Sequence, residues 1–134
     1  MLNHDSNPDF DLIVVGGGPA GSTAATLVAL QGHRVLLLEK EKFPRYKIGE
    51  SLLPATVHGI CPLLGVSKAL KEANFVVKRG GTFRWGKSQT PWTFSFASSA
   101  AMAGPTSIAY QVERMKFDQI LLNNAREKGV DVRE

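Results

Sequence analysis

Phe10-Asp11-Leu12-Ile13-Val14-Val15 runs directly into Gly16-Gly17-Gly18-Pro19-Ala20-Gly21-Ser22, and no other segment of the 134-residue chain restricts its folding as much. The apolar, β-branched run at 10–15 reads as a strand buried on both faces. Ala20, Ala24, Ala25, Leu27, Val28 and Leu30 follow as a small-residue apolar helix, closed by Gly32. His33 to Leu38 reads as a second strand, with Glu39 at its carboxyl end. A strand, a glycine turn, a helix and a second strand predict a right-handed βαβ unit with a parallel sheet. Gly16 permits the tight turn, Gly18 lets a pyrophosphate approach the backbone, and Gly21 packs the helix on the strand. The helix N-terminus, with Ala20 in its first turn, offers N–H groups and a partial positive charge to an anion. Glu39 lies about 20 residues beyond the glycines, where it can accept hydrogen bonds from an adenosine ribose. A bound dinucleotide is the expectation.

Leu12 to Gly32 contains no Asp, Glu, Lys or Arg, and by length alone it matches a membrane span. Three consecutive glycines and Pro19 break it where a spanning helix must be continuous. Asp5, Asp9 and Asp11 precede it, where a signal peptide carries basic residues. The expectation is a soluble cytoplasmic chain with no membrane partner and a disordered leader over 1–9. A hydrophobic fraction of 43% with 21% charged residues suits a folded domain. The single cysteine, Cys61, sits in the apolar run Ile60-Cys61-Pro62-Leu63-Leu64 and reads as a buried thiol. His4, His33 and His58 have no partners at metal-ligand spacing, so no metal site is expected. The net charge of +4 is uneven: Lys68, Lys71, Lys78, Arg79, Arg84 and Lys87 are opposed within their stretch only by Glu72. No nucleic-acid-binding motif accompanies these charges. They read as a solvated face, or as a patch steering an anionic cofactor, a halide or an acidic protein.

Farther along, Pro54 to Leu64 suggests a short helix, and Ser67 a cap for another through Ala73. Gly80 to Gly86 and Trp92 to Phe96 read as antiparallel strands, and Ala97 to Pro105 as a loop. Ile108 to Val112 reads as a short strand. Phe117, Ile120, Leu121 and Ala125 mark one face of a helix from Arg114 to Lys128 that Gly129 ends. Val130 to Arg133 then begins a third parallel strand. The whole predicts an α/β fold, the N-terminal portion of a doubly wound FAD-binding Rossmann-like sheet. Residues 10–50 and 107–134 form its core, and 51–106 an antiparallel β insertion. The later strands of such a sheet are missing, so the sequence reads as the N-terminal part of a longer enzyme.

Gly16 to Ser22, Glu39, Pro44-Arg45, Val112-Glu113-Arg114 and Phe117-Asp118 together resemble the flavoprotein class that includes para-hydroxybenzoate hydroxylase. Within that class, Lys47-Ile48-Gly49-Glu50-Ser51-Leu52-Leu53-Pro54 is similar to the flavin-dependent halogenases, on the branch that acts on phenol- or pyrrole-type substrates. Asn74-Phe75-Val76-Val77-Lys78-Arg79-Gly80-Gly81 resembles the segment with that family's catalytic lysine. The family's Trp-x-Trp-x-Ile-Pro signature is absent, since Trp85 and Trp92 are seven apart; in halogenases it lies well downstream.

The resemblance implies FAD as cofactor, with Arg45, Ser51, Gln111 and Arg114 as contacts beyond Gly16, Gly18, Ala20, Gly21 and Glu39. It implies reduced FAD from a separate flavin reductase, and oxygen and a halide (chloride) as co-substrates. The product is an electrophilic halogen for a small aromatic substrate, free or tethered to a carrier protein, in natural product biosynthesis. Lys78 would carry the halogen, its ammonium hydrogen-bonding hypohalous acid or its free amine forming a haloamine. A flavin-dependent aromatic hydroxylase shares the glycine turn, Arg45 and Arg114 but needs no lysine at position 78. A geranylgeranyl-reductase-like enzyme is disfavoured by Ile48-Gly49. A non-catalytic partial nucleotide-binding fragment is the remaining alternative.

Overall fold

Leu12–Val15 (β1) and Val35–Leu38 (β2) pair in parallel, Leu12 opposite Val35 through Val15 opposite Leu38. Pro19–Ala29 (α1) connects them. This computed structural model describes residues 9–100 and 103–134; the leader expected over 1–9 lies, up to residue 8, outside the described residues. Asp131–Arg133 pairs in parallel with the far side of β2, Leu36 opposite Asp131, giving a three-stranded sheet with β2 central. The expected parallel α/β architecture is therefore present.

The chain divides into two compact units. One runs to Lys47 and resumes over Met115–Glu134; the other is Ile48–Arg114. In the first unit, β2 supplies the centre of the core: Val35 and Leu37 are 1% and 0% exposed. Ala25 of α1 and Leu122 and Ala125 of Arg114–Glu127 (a later helix) pack on them, with Leu12 and Val14 of β1 alongside. Fully burying each such leucine contributes about 1.5–3 kcal/mol. Of the two faces of β1 expected to be buried, one is covered in this chain. Ile13 and Val15, which alternate with Leu12 and Val14, are 57% and 83% exposed. Both helices of the unit pack on the other face of the sheet, so no layer of the described residues covers these side chains.

The second unit starts from its loop and ends in a short strand. Ala55–Ile60 is a π-helical stretch that continues into Cys61–Leu64 (α2). The Cys61 N–H reaches back to the Thr56 carbonyl, five residues away, and Pro62 has no N–H to extend the ordinary pattern. Ser67–Glu72 (α3) follows, but the cap position is Val66 and Ser67 is the first helical residue, without a capping bond. Val66 donates its N–H to Cys61, so the end of one helix dictates the start of the next. Val76–Lys78 (β3) was not anticipated as a strand; it pairs antiparallel with Ala109–Gln111. Gly80–Phe83 (β4) and Trp92–Ser95 (β5) form the expected antiparallel pair. The 3₁₀ turn Phe96–Ser98 interrupts the expected loop at 97–105, of which residues 101 and 102 lie outside the described residues. Ala109–Gln111 is β6, so it belongs to this unit and not to the sheet of the first. The long helix Arg114–Glu127 is α4 and Asp131–Arg133 is β7. Val57, Phe96 and Ala109 form a small core, with Leu52, Phe94 and Tyr110 packed on it. No helix among the described residues is long and apolar enough to cross a membrane.

Candidate functional site

The turn between β1 and α1 is built by close backbone approach. Gly16 has φ +103°, a region that L side chains rarely adopt. A Cβ at Gly21 would lie 1.8 Å from the Gly16 carbonyl oxygen, so the first turn of α1 can sit this close only with glycine there. Ser22, buried, donates its hydroxyl to the Gly17 carbonyl at 2.8 Å and fixes the turn from beneath. The Gly16 N–H goes to Leu38 at 2.7 Å, joining the turn to β2. Pro19 occupies the start of α1, and the first turn carries no acidic side chain. A helix's leading N–H groups have no intrahelical partner, which suits this end to an anion. Ala20, exposed, is the second residue of that turn.

Glu39 closes the other side. Its Oε2 accepts the Gly17 N–H at 2.6 Å and its Oε1 the Glu41 N–H at 2.9 Å. Burial pushes its carboxyl up, but the N–H groups of Glu41 and Gly17 and the charge of Arg45 outweigh this and hold it below the usual carboxylate value. A carboxylate has about four lone-pair sites, so both oxygens keep acceptor capacity for a ribose hydroxyl. Glu39 thus also anchors the glycine turn, a task that its spacing in the sequence did not suggest.

Arg45 faces this turn. Its Nη1 donates to Asp118 Oδ2 at 2.7 Å, and its guanidinium stacks 4.2 Å from the centre of the Phe43 ring. The Nη2 lies 3.5 Å from where a Gly18 Cβ would be. The Nε is buried; it makes no hydrogen bond among the described residues but stands 3.5 Å from Glu41 Oε2 as an ion pair. Val15, Gly16, Gly18, Glu39, Arg45 and Lys47 are among the walls of a cavity of about 390 Å³. A glycine floor, a helix N-terminus, a guanidinium beside Gly18 and an acceptor at the strand end are the groups a dinucleotide phosphate and ribose require. The residues present fit the adenosine and pyrophosphate portion of FAD.

The tryptophan halogenase family model matches residues 11–104. The chain belongs to that family. It is 46% identical over 123 residues to a tryptophan 2-halogenase of Chondromyces crocatus, covering 92% of this chain and 22% of that protein. It is 34% identical over 141 aligned positions to the 1H-pyrrole-2-carbonyl-[peptidyl-carrier protein] chlorinase of Pseudomonas fluorescens, covering 95% of this chain and 31% of that protein. Among solved structures, the myxobacterial chondrochloren halogenase CndH superposes with a TM-score of 0.84 and 64% identity, over 93% of this chain and 28% of that one. The chain thus spans about a quarter of the length of these halogenases.

The remaining residues expected to act in a halogenase lie in the second unit. Lys78, at the end of β3, is half-buried. Its Nζ donates to Ser51 Oγ at 2.6 Å and to the Leu52 carbonyl at 3.2 Å, and stands 5.4 Å from the centre of the Phe96 ring. Ser51 forms an antiparallel bridge with Gln111, whose amide reaches Glu50 at 3.5 Å. Arg114 donates to the Ile48 carbonyl at 2.6 Å and shapes the start of the same loop. Ser51, Gln111 and Arg114, expected as flavin contacts, therefore have protein partners of their own in this unit.

Two residues were missed. Asp118 entered only within the resemblance, although it is fully buried and holds Arg45; its place four residues after the first residue of α4, Arg114, offers no local signal. Ser22 reads as one more small helix residue. Cys61 is 1% exposed, and burial pushes its thiol up to about 11, as befits a core residue. Among the described residues no group of three or more His, Cys, Asp and Glu could hold a metal.

Proposed function

We propose that the full-length protein is an FAD-dependent halogenase of activated aromatic substrates, with Lys78 carrying the electrophilic halogen. The observation that supports this is the seating of Lys78 Nζ on Ser51 Oγ and the Leu52 carbonyl, within a chain of the halogenase family. A hydroxylase has no use for such an ammonium. Gly16, Gly18, Ala20, Gly21, Glu39 and Arg45 would hold FAD, which when bound in its reduced form supplies the two electrons that activate oxygen for halide oxidation. Lys78 would hold hypohalous acid by hydrogen bond and direct it to the ring. The halide is chloride, the reduced flavin comes from a separate reductase, and the setting is the cytoplasm. A phenol- or pyrrole-type substrate fits this reading. The relative named for a pyrrole on a peptidyl carrier protein favours a carrier-tethered form.

The test is Lys78→Ala in the full-length enzyme. FAD binding and consumption of reduced flavin stay near normal, while halogenated product falls by several orders of magnitude and peroxide or free hypohalous acid is released. Lys78→Arg fails too, since a guanidinium is not an equivalent point donor. Halogenation by Lys78→Ala at a near-normal rate would sink the assignment.

A further inference from the structure

We propose that Ser51 is a positioning residue for Lys78 and not a flavin contact, an inference that rests on the reading of Lys78 just given. A lysine ammonium on a four-carbon stem samples many rotamers, and fixing it costs side-chain entropy. Lys78 meets that cost with two acceptors from one loop, Ser51 Oγ at 2.6 Å and the Leu52 carbonyl at 3.2 Å.

The contact is held by backbone on both sides. β3 carries Lys78 opposite Ala109 of β6, and Val76 opposite Gln111. The loop is tied to the same strand and its sequel at three points. Ser51 bridges Gln111, the Leu52 N–H reaches Tyr110 at 3.0 Å, and the Val112 N–H reaches Glu50 at 2.8 Å. Ser51 and Lys78 thus flank β6, which sets the distance between them. The half-buried Leu52 and Tyr110 pack on the Val57, Phe96 and Ala109 core beneath this junction, and the Phe96 ring stands below the ammonium.

An ammonium has three N–H donors. Ser51 and Leu52 take two, which leaves one for the oxygen of hypohalous acid. Orientation of that one donor is what the Ser51 hydroxyl contributes. The Leu52 carbonyl alone would let the Nζ swing about a single longer bond.

The experiment uses full-length enzyme, reduced FAD, oxygen, chloride and an aromatic acceptor that the unsubstituted enzyme halogenates. It measures FAD affinity, flavin oxidation rate and product formed per flavin oxidised. Ser51→Ala leaves the first two within about two-fold and lowers the third about ten- to a hundred-fold, the size of one lost hydrogen bond to a charged group. Ser51→Thr, which retains the hydroxyl, recovers most of the coupling. Adding Ser51→Ala to Lys78→Ala changes nothing further, because the two act as one unit. A Ser51→Ala enzyme with weakened FAD binding and unchanged coupling would overturn the proposal in favour of a flavin contact. If Lys78→Ala itself halogenates, the fault lies with the reading of Lys78. If Lys78→Ala is inactive and Ser51→Ala is fully coupled, the positioning role alone fails.

Discussion

Removing Asp118 from beneath Arg45 separates folding from cofactor binding in the first unit. The pair is 10% and 0% exposed at its side chains, with Nη1 and Oδ2 at 2.7 Å. At an effective dielectric of about 20 their attraction is about 6 kcal/mol. Desolvation costs several kcal/mol for each ion, so the pair gains little over apolar residues of the same size. Breaking it is different, because the buried Arg45 guanidinium then keeps only its longer pair with the partly exposed Glu41, 3.5 Å from Nε to Oε2. Asp118→Ala in the full-length enzyme should therefore cost about 3 kcal/mol in denaturant unfolding, the low end for a broken buried pair. Arg45→Met with Asp118→Leu should regain most of that stability. It should not regain FAD affinity, which falls about ten- to a hundred-fold once the guanidinium facing Gly18 is gone. Chemical denaturation and FAD titration of the three variants decide the matter. An Asp118→Ala cost below 1 kcal/mol, or a double variant that binds FAD normally, would refute the account.

Two further predictions follow from the glycine turn. Gly21→Ala puts a methyl 1.8 Å from the Gly16 carbonyl oxygen, so α1 must move off the turn; FAD affinity should drop at least a hundred-fold, and a near-normal Kd would contradict the close approach. Glu39 has a folded pKa below its usual 4.5, so its stabilising contribution is complete above pH about 4.5 and is lost as the pH falls through the folded value. Thermal melts from pH 6 to pH 3 should show this loss in the native enzyme and a smaller one in Glu39→Gln, and identical pH profiles would count against the anchoring role. The same substitution should weaken FAD binding about ten-fold, read by titration at pH 7.

The β1–α1–β2 unit was legible because its signals are local and agree: an apolar run, a glycine turn, an alanine-rich helix and a second apolar run within 30 residues of chain. β7 was legible as the alternating Val130-Asp131-Val132-Arg133 after a helix with a clear face that Gly129 ends. Strand β3 was not. It has three residues, and its partner β6 lies about thirty residues away in sequence, so nothing local marks it. Which face of β1 is covered in this chain has no local signal, because alternation is invisible in a run where every residue is apolar. Leu12, Ile13, Val14 and Val15 look alike, yet only two of them meet helices in this chain.

The pairings at the candidate site lie beyond sequence reasoning for a physical reason. Periodicity tells which residues share a face, and a motif tells which residue types a ligand needs. Neither tells which two side chains meet across the fold. Arg45 and Asp118 are 73 residues apart, and Ser51 and Lys78 are 27 apart. Each was legible only as half of a contact, a cation expected to face flavin or halogen. In both cases the cation's first partner is an oxygen of the protein itself, which removes rotamer freedom before any ligand arrives. A cation left to find its ligand unaided would lose that entropy on binding. At both places the fold orders the donor in advance, and what remains of its hydrogen-bonding capacity is left for the ligand.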